Sequence, residues 1–411
     1  MSAEAESFFG WLDYDDRDAQ RMREVFAAFD DKDTIDSLGL GVIRDSLSDQ
    51  LFPGISTIQT RARYFLFVPW VCQLLEAERV APSRFSERLR ELEVALIESL
   101  RGVEGPNEGV IGYRARKRLT RLPSTVYWNG LKVFGIRLLP LTTSGYRGVA
   151  GRLGAILANA DRDDDGDLVS AIRQMWDPGM PAGPAGFPGE PIWLTLSDEE
   201  SEYLAGKIVT NCPQTMLGEL ARDLEVDRSA SLPWDVVLQH APSRLVDVLG
   251  HARNFSELME GAQALYNLLL AVRAKRGLDR DTTDLQRVLH DELDEWAVLI
   301  HDRRSELTAW IAGEEFWLVV ERMTRVPTPS RRFVLSWARL ALAAPNAIVS
   351  SPEAERLVVE REFRLKGKLA RLSEPRALEN WKGEPFSLGR MKFRWPNARR
   401  ILDDLQYHEG A

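Results

Sequence analysis

The sequence predicts a mostly α protein: helical bundle domains, a helix-turn-helix-like N-terminal part and few short strands. Two observations carry this. Apolar residues recur at spacings of three and four in one segment after another, the period of a half-buried helix. Helix-start signals stand ahead of several of these segments: Ser56 with Gln59, Ser197 with Glu200, and Ser351-Pro352-Glu353.

In chain order, Asp15 or Asp16 caps a first helix to about Phe29, with Met22, Val25, Phe26 and Phe29 as its stripe. Ile43, Leu47 and Leu51 mark a second, which Phe52-Pro53-Gly54-Ile55 breaks. A third is expected from Ser56, polar through Tyr64 and then apolar, with Pro69 kinking it or opening a new helix. Helix, Gly-containing turn, and a helix opening with Ser, Thr, Gln and Arg is the outline of a helix-turn-helix, and would place Arg61 and Arg63 against nucleic acid. A helical hairpin with a buried second member is the preferred reading of the apolar run, since such hairpins greatly outnumber DNA readers. Further helices are expected over 82–100, from Ser124 to Gly135, from Ser197, and over 214–224, 256–275, 282–312, 331–343 and 352–368. Short strands are expected near 125–139 or 386–395.

The 411 residues suggest more than one domain. The Pro- and Gly-rich run from Trp176 to Pro191 is the strongest linker signal. The organisation it implies is a helical domain over 1–177, a linker over 178–196, a helical bundle over 197–350 and a basic, aromatic segment over 351–411.

Charge is distributed unevenly. The chain carries a net −9, yet residues 109–160 hold nine basic side chains and no acid. These are Arg114, Arg116, Lys117, Arg118, Arg121, Lys132, Arg137, Arg147 and Arg152. A local reversal of sign attracts phosphates and other anions. The basic run ahead of Ser124 stands at an expected helix N-terminus, whose unpaired N–H groups also favour an anion. Gly145, Gly148, Gly151 and Gly154 recur every third residue with Arg147 and Arg152 between them, but match neither a P-loop nor a dinucleotide fingerprint. They read as a backbone that approaches phosphate, a helix packed through its glycines, or a loop. Residues 361–400 are basic again, twelve positive against four negative. There Lys392, Arg394, Arg399 and Arg400 alternate with Trp381, Phe386, Phe393 and Trp395. Such a segment either binds a single strand or docks its rings on the body of the protein.

Little else points to chemistry. Asp161, Asp163, Asp165 and Gly166 fit the first half of a calcium loop, but Ile172 stands where the bidentate Glu belongs, so they are weak metal candidates beside a solvated acidic turn. Two distant cysteines and five scattered His give no zinc spacing, and a reducing cytoplasm is expected. No signal peptide, membrane span, nucleophile elbow or kinase loop is found, and no cofactor is expected.

Phe9-Gly10-Trp11-Leu12-Asp13-Tyr14, Leu38-Gly39-Leu40-Gly41 and above all the run Phe52 to Phe65 (FPGISTIQTRARYF) with Val68-Pro69-Trp70 carry a resemblance. With Tyr127-Trp128, Phe187-Pro188 and Arg394-Trp395, the sequence resembles a bacterial family of uncharacterised proteins across almost its full length. The resemblance implies a setting, phage-defence gene clusters that also encode helicase and nuclease-like proteins as partners, and no catalytic residues. Three functions remain open. The first is a non-catalytic nucleic-acid-binding or scaffolding subunit of a defence complex. The second is a metal-dependent nuclease or nucleotide-processing enzyme around Asp161–Asp167. The third is a protein-binding module with the Trp-rich helices as its interface.

Overall fold

The computed structural model describes residues 36–160, 175–386 and 389–407, with side chains of 152–160 left out. The first expected helix (from Asp15 or Asp16 to about Phe29), the run Phe9 to Tyr14, and Asp161, Asp163 and Asp165 lie outside these residues. Among the described residues the fold is helical, and the only backbone bridge is an isolated antiparallel one between Arg137 and Trp176. No described helix is long and apolar enough to cross a membrane.

Five helices build the first half: α1 (Gly41–Leu51), α2 (Tyr64–Ala77), α3 (Phe85–Val103), α4 (Pro123–Val133) and α5 (Thr143–Ala160). Helix α2 is buried on every side from Tyr64 to Cys72, because α3, α4 and α5 all pack against it. That is why its sequence is apolar without a period. Pro69 sits inside it and the helix runs on.

The third helix begins at Tyr64, eight residues later than its capping signal, so the expected reader helix is not formed. Ser56 and Gln59 close only a local turn, with the Ser56 N–H donating to Gln59 Oε1 at 3.1 Å. The reason lies in where the next N–H groups go. Those of Thr60 and Arg61 donate to the Tyr127 hydroxyl at 2.8 and 3.1 Å, and that hydroxyl donates to Arg61 O at 2.8 Å. The Ala62 N–H donates to Asp404 at 2.7 Å. With those donors bound to distant oxygens, no i→i−4 ladder can form through the segment.

The remaining helices are α6 (Asp198–Asn211), α7 (Met216–Arg222), α8 (Ser243–Leu278), α9 (Thr283–Asp302), α10 (Arg304–Ala312), α11 (Glu315–Val320), α12 (Thr328–Ala343), α13 (Pro352–Lys366), α14 (Pro375–Glu379) and α15 (Trp395–Gln406). Ser197 and Glu200 form the expected capping box on α6, and Ser351 caps α13. Helix α8 has 36 residues, about 54 Å at 1.5 Å per residue, and is the axis of this half. Trp296 of α9 lies flat against Gly261 of α8 and donates to Glu257 O at 2.8 Å; Trp337 of α12 donates to Leu258 O at 2.8 Å. The expected single helix over 282–312 breaks at Arg303. Its guanidinium turns inward to the fully buried Glu257 and to Asn254 Oδ1 at 2.8 Å.

The two halves share one hydrophobic core, continuous from Leu38 to Leu405. The Pro-rich run is irregular, as expected, but it is not a free linker. It straps α2 and α3: Trp70 Nε1 donates to Pro181 O at 2.8 Å, Phe187 packs on Phe67 and Trp70, and Ser99 Oγ donates to Pro188 O at 2.5 Å. Helix α1 reaches the other way, with Ser46 Oγ donating to Val320 O at 2.6 Å.

The C-terminal helix α15 locks the halves together. Trp395 stacks on Phe52 and donates to Ala230 O at 2.8 Å. Ser201 Oγ donates to Leu405 O at 2.6 Å, and Asp404 takes both the Arg61 guanidinium and the Ala62 N–H. Removing one member of a buried pair strands the other, at a cost of about 3–5 kcal/mol. Asp404→Ala is therefore expected to lower stability by about that amount in urea denaturation, and Asp404→Asn by less, since the amide oxygen can still accept from Ala62.

Candidate nucleic-acid interface

Helix α3 supplies the foundation of the basic surface. Leu92, Leu96, Ile97 and Leu100 face the core, and arginines and glutamates alternate on the outside. The segment after it turns back across the helix. Arg90 Nη2 donates to Lys117 O at 2.6 Å and to Leu119 O at 2.8 Å. It thereby clamps a 3₁₀ turn over Arg116–Arg118. Arg116 holds a left-handed backbone there, φ 49°, a conformation a non-glycine residue keeps only where its surroundings fix it. Its Nε lies 3.4 Å from Glu98 Oε1. Arg114, Lys117 and Arg118 are exposed and make no ion pair with a described carboxylate. Arg147, exposed on α5, reaches Ser86 Oγ at 3.4 Å, one turn of α3 before Arg90. Arg121 is half-buried, and the side chain of Arg152 is outside the described residues.

The anion site expected at the start of the next helix is filled by the protein itself. The cap residue of α4 is Leu122, and Ser124 lies buried inside the first turn. The Ser124 N–H donates to Glu93 Oε1 at 2.6 Å, and its hydroxyl lies 3.1 Å from Glu93 Oε2. Burial pushes the Glu93 carboxyl up to about 8, against the opposing pull of the Ser124 hydrogen bonds and Arg90. A second buried acid sits nearby. Glu76 Oε1 accepts from Tyr146 at 2.6 Å and Trp176 at 3.0 Å, and burial raises its pKa despite both bonds.

The glycine-rich stretch is helical rather than a phosphate loop. Gly151 lets α5 approach the Val80 carbonyl, where a Cβ would stand only 2.8 Å away. Gly148 faces open space.

The other expected contacts are turned inward. Arg61 Nε donates to Asp404 at 2.8 Å, and the two side chains are 17% and 8% exposed. Arg63 pairs with Glu200 at 2.8 Å, and Arg394 with Asp49 at 2.6 Å. Arg399 is half-buried against Arg228 O, while Lys392 and Arg400 are exposed. Trp381, Phe393 and Trp395 are buried and Phe386 is partly so, so these four rings are turned from the solvent that a stacked base would need. Trp296, Trp317 and Trp337 are likewise core residues, whereas Trp310 is partly buried and Trp193 is 49% exposed. Among the described residues no group of three His, Cys, Asp or Glu could hold a metal ion.

Of the expected site, then, the structure sets Arg116, Lys117, Arg118 and Arg147 against α3, leaves Arg114 exposed just ahead of the turn, and withdraws Arg61, Arg63 and Arg394. The sequence reading missed Arg90 and Glu93. Glu93 had a signal: it stands in the stripe Leu89, Leu92, Leu96, Ile97, where an acid can only be buried. Arg90 had none, since its role depends on a turn 27 residues away.

Fold and surface together define a mostly α-helical protein with a basic turn built over a buried acid. The chain belongs to a protein family: residues 6–408 match one described as a family of unknown function (DUF6361). No curated protein and no solved structure matches the chain.

Glu93 makes a pH dependence measurable. Its pKa is raised from the ordinary 4.5 to about 8, so between these values the folded chain keeps a proton that the unfolded chain releases. Its contribution is full below pH 4.5 and is lost as pH rises towards 8. The melting temperature of Glu93→Gln is expected to fall less than that of the natural chain between pH 5 and pH 8.

Proposed function

We propose that the protein is a non-catalytic nucleic-acid-binding subunit that contacts the phosphate backbone through the basic turn and the outer side of α3. The observation that carries this reading is the state of Arg114, Lys117 and Arg118. They are exposed, without a described carboxylate partner, and displayed on a turn that Arg90 holds in place. Solvated cations of this kind are available to phosphate, whereas cations paired in the interior are not. Outside residues 109–160 and 361–400 the chain is acidic on balance, which limits the attraction to its basic surfaces. The setting implied by the resemblance, a bacterial anti-phage defence complex with helicase and nuclease-like members, is one in which such a subunit would hold nucleic acid for its partners. Scaffolding and nucleic-acid binding are compatible roles in that complex.

The test is a binding titration with labelled oligonucleotides at low salt, repeated as salt is raised. Binding is expected to weaken steeply, because each phosphate contact releases counterions. Replacing Arg114, Arg116, Lys117 and Arg118 by Ala is expected to weaken binding and to flatten the log–log salt slope by about 1 for each phosphate no longer neutralised. No binding by the natural chain at low salt would remove the proposal. Metal-dependent cleavage of the oligonucleotides would replace it with the enzyme reading.

A further inference from the structure

The cations of this face form a row, and what surrounds the row selects among nucleic acids. Arg147 meets α3 at Ser86, Arg90 holds the turn carrying Lys117 and Arg118, and Arg116 meets α3 at Glu98. Ser86 to Glu98 is twelve residues of one continuous helix, about 18 Å at 1.5 Å per residue. At 3.6 residues per turn Ser86 and Glu98 project about 120° apart, so the row winds obliquely over the helix beneath it. Over about 18 Å of B-form axis, at one charge per 1.7 Å, a duplex presents about ten phosphates on its two strands.

The aromatic rings of this region are withdrawn. Tyr127, Trp128 and Tyr146 are buried, and Tyr113 lies under the Arg101 guanidinium, 4.9 Å from its ring centre. Single-strand binding takes a large share of its energy from bases stacked on exposed rings. Among the described residues the expected reader helix is not formed, since the polar run Ser56–Arg63 is not helical and its two arginines are paired inside the protein. Duplex RNA is read by shape across about 16 base pairs, and a row of about 18 Å is too short to span that distance.

Building on the phosphate-binding reading above, we infer that the face selects double-stranded DNA over a single strand and holds it without regard to sequence. The backbone of one B-form segment lies along α3, with Arg147 and Arg116 at its ends and Lys117 and Arg118 between them.

The experiment is a competition on the full chain. A labelled mixed-sequence DNA duplex of about 20 base pairs is displaced by unlabelled duplexes of unrelated sequence, by one of its own strands, by oligo-dT and by duplex RNA. The DNA duplexes are expected to compete equally, within about threefold, and each single strand at least tenfold less well. With about four phosphate contacts the duplex slope is about −3.6, so affinity falls about 150-fold between 50 and 200 mM salt, against about 50-fold for a single strand with a slope of about −2.8. Single strands that compete as well as the duplex would overturn the inference while leaving the phosphate-binding reading intact. Duplex RNA binding more tightly than DNA would overturn the choice of DNA, and strong preference for one sequence would overturn the sequence independence. Failure of all these nucleic acids to bind would remove both. Arg147→Glu, an exposed substitution outside the core, is expected to weaken duplex binding at least fivefold with an unchanged melting temperature. An unchanged affinity for Arg147→Glu would take α5 out of the row and overturn its placement.

Discussion

The fold depends on one carboxylate. Asp404, close to the end of the described chain, accepts from the Arg61 guanidinium and from the Ala62 N–H in the segment that leads into α2. Burial raises its pKa even with Arg61 beside it, so the charge is present at a cost that these partners offset. What the arrangement supplies is position. It draws Ser56–Arg63 out of helical geometry, sets where α2 begins, and holds α15 against both halves. Tyr127 acts on the same segment from the other side, through two N–H groups and a carbonyl. Around these anchors the buried α2 collects α3, α4 and α5.

The same economy governs charge. Arginines near a carboxylate in the interior became struts: Arg61, Arg63, Arg303 and Arg394 all join distant parts of the chain. Arg361 joins the ends without one, donating to the Leu38 and Gly39 carbonyls and to Ser330. Arg114, Lys117 and Arg118 are cations for which the described fold offers no such partner. Glu93 illustrates the converse. The N–H groups at the start of α4 needed an acceptor, and a carboxyl from α3 met that need from inside the core. The proposed phosphate contacts therefore fall to side chains on the turn and not to a helix end.

Helix content was legible because it is local. Stripes at spacings of three and four, together with Ser197–Glu200 and Ser351-Pro352, describe which residues share a face and which N–H groups need a cap, and neither depends on the rest of the chain. Ser56–Gln59 has the same signature and failed. The N–H groups that follow it found better acceptors in Tyr127 and Asp404, 67 and 342 residues away in sequence. The long helices show a milder version of this. Ser256–Lys275 is part of a helix nearly twice as long as its clearest stripe, and 282–312 divides at Arg303 because a buried Glu257 draws that side chain inward.

By itself, the sequence determined a mostly helical chain, an irregular Pro-rich run, and a reversal of charge over residues 109–160, because propensity, capping and charge are properties of neighbouring residues. Only the tertiary structure decided which of those charges face water. Arg61 and Arg118 are the same residue type, each in a basic, polar stretch. One shares its Nε–H between both oxygens of Asp404 and the other stands in solvent, and the difference is made by a carboxylate that only folding brings near. The same holds for the aromatic C-terminal segment, where Trp381, Phe393 and Trp395 complete the core and Trp395 anchors α15 on Phe52.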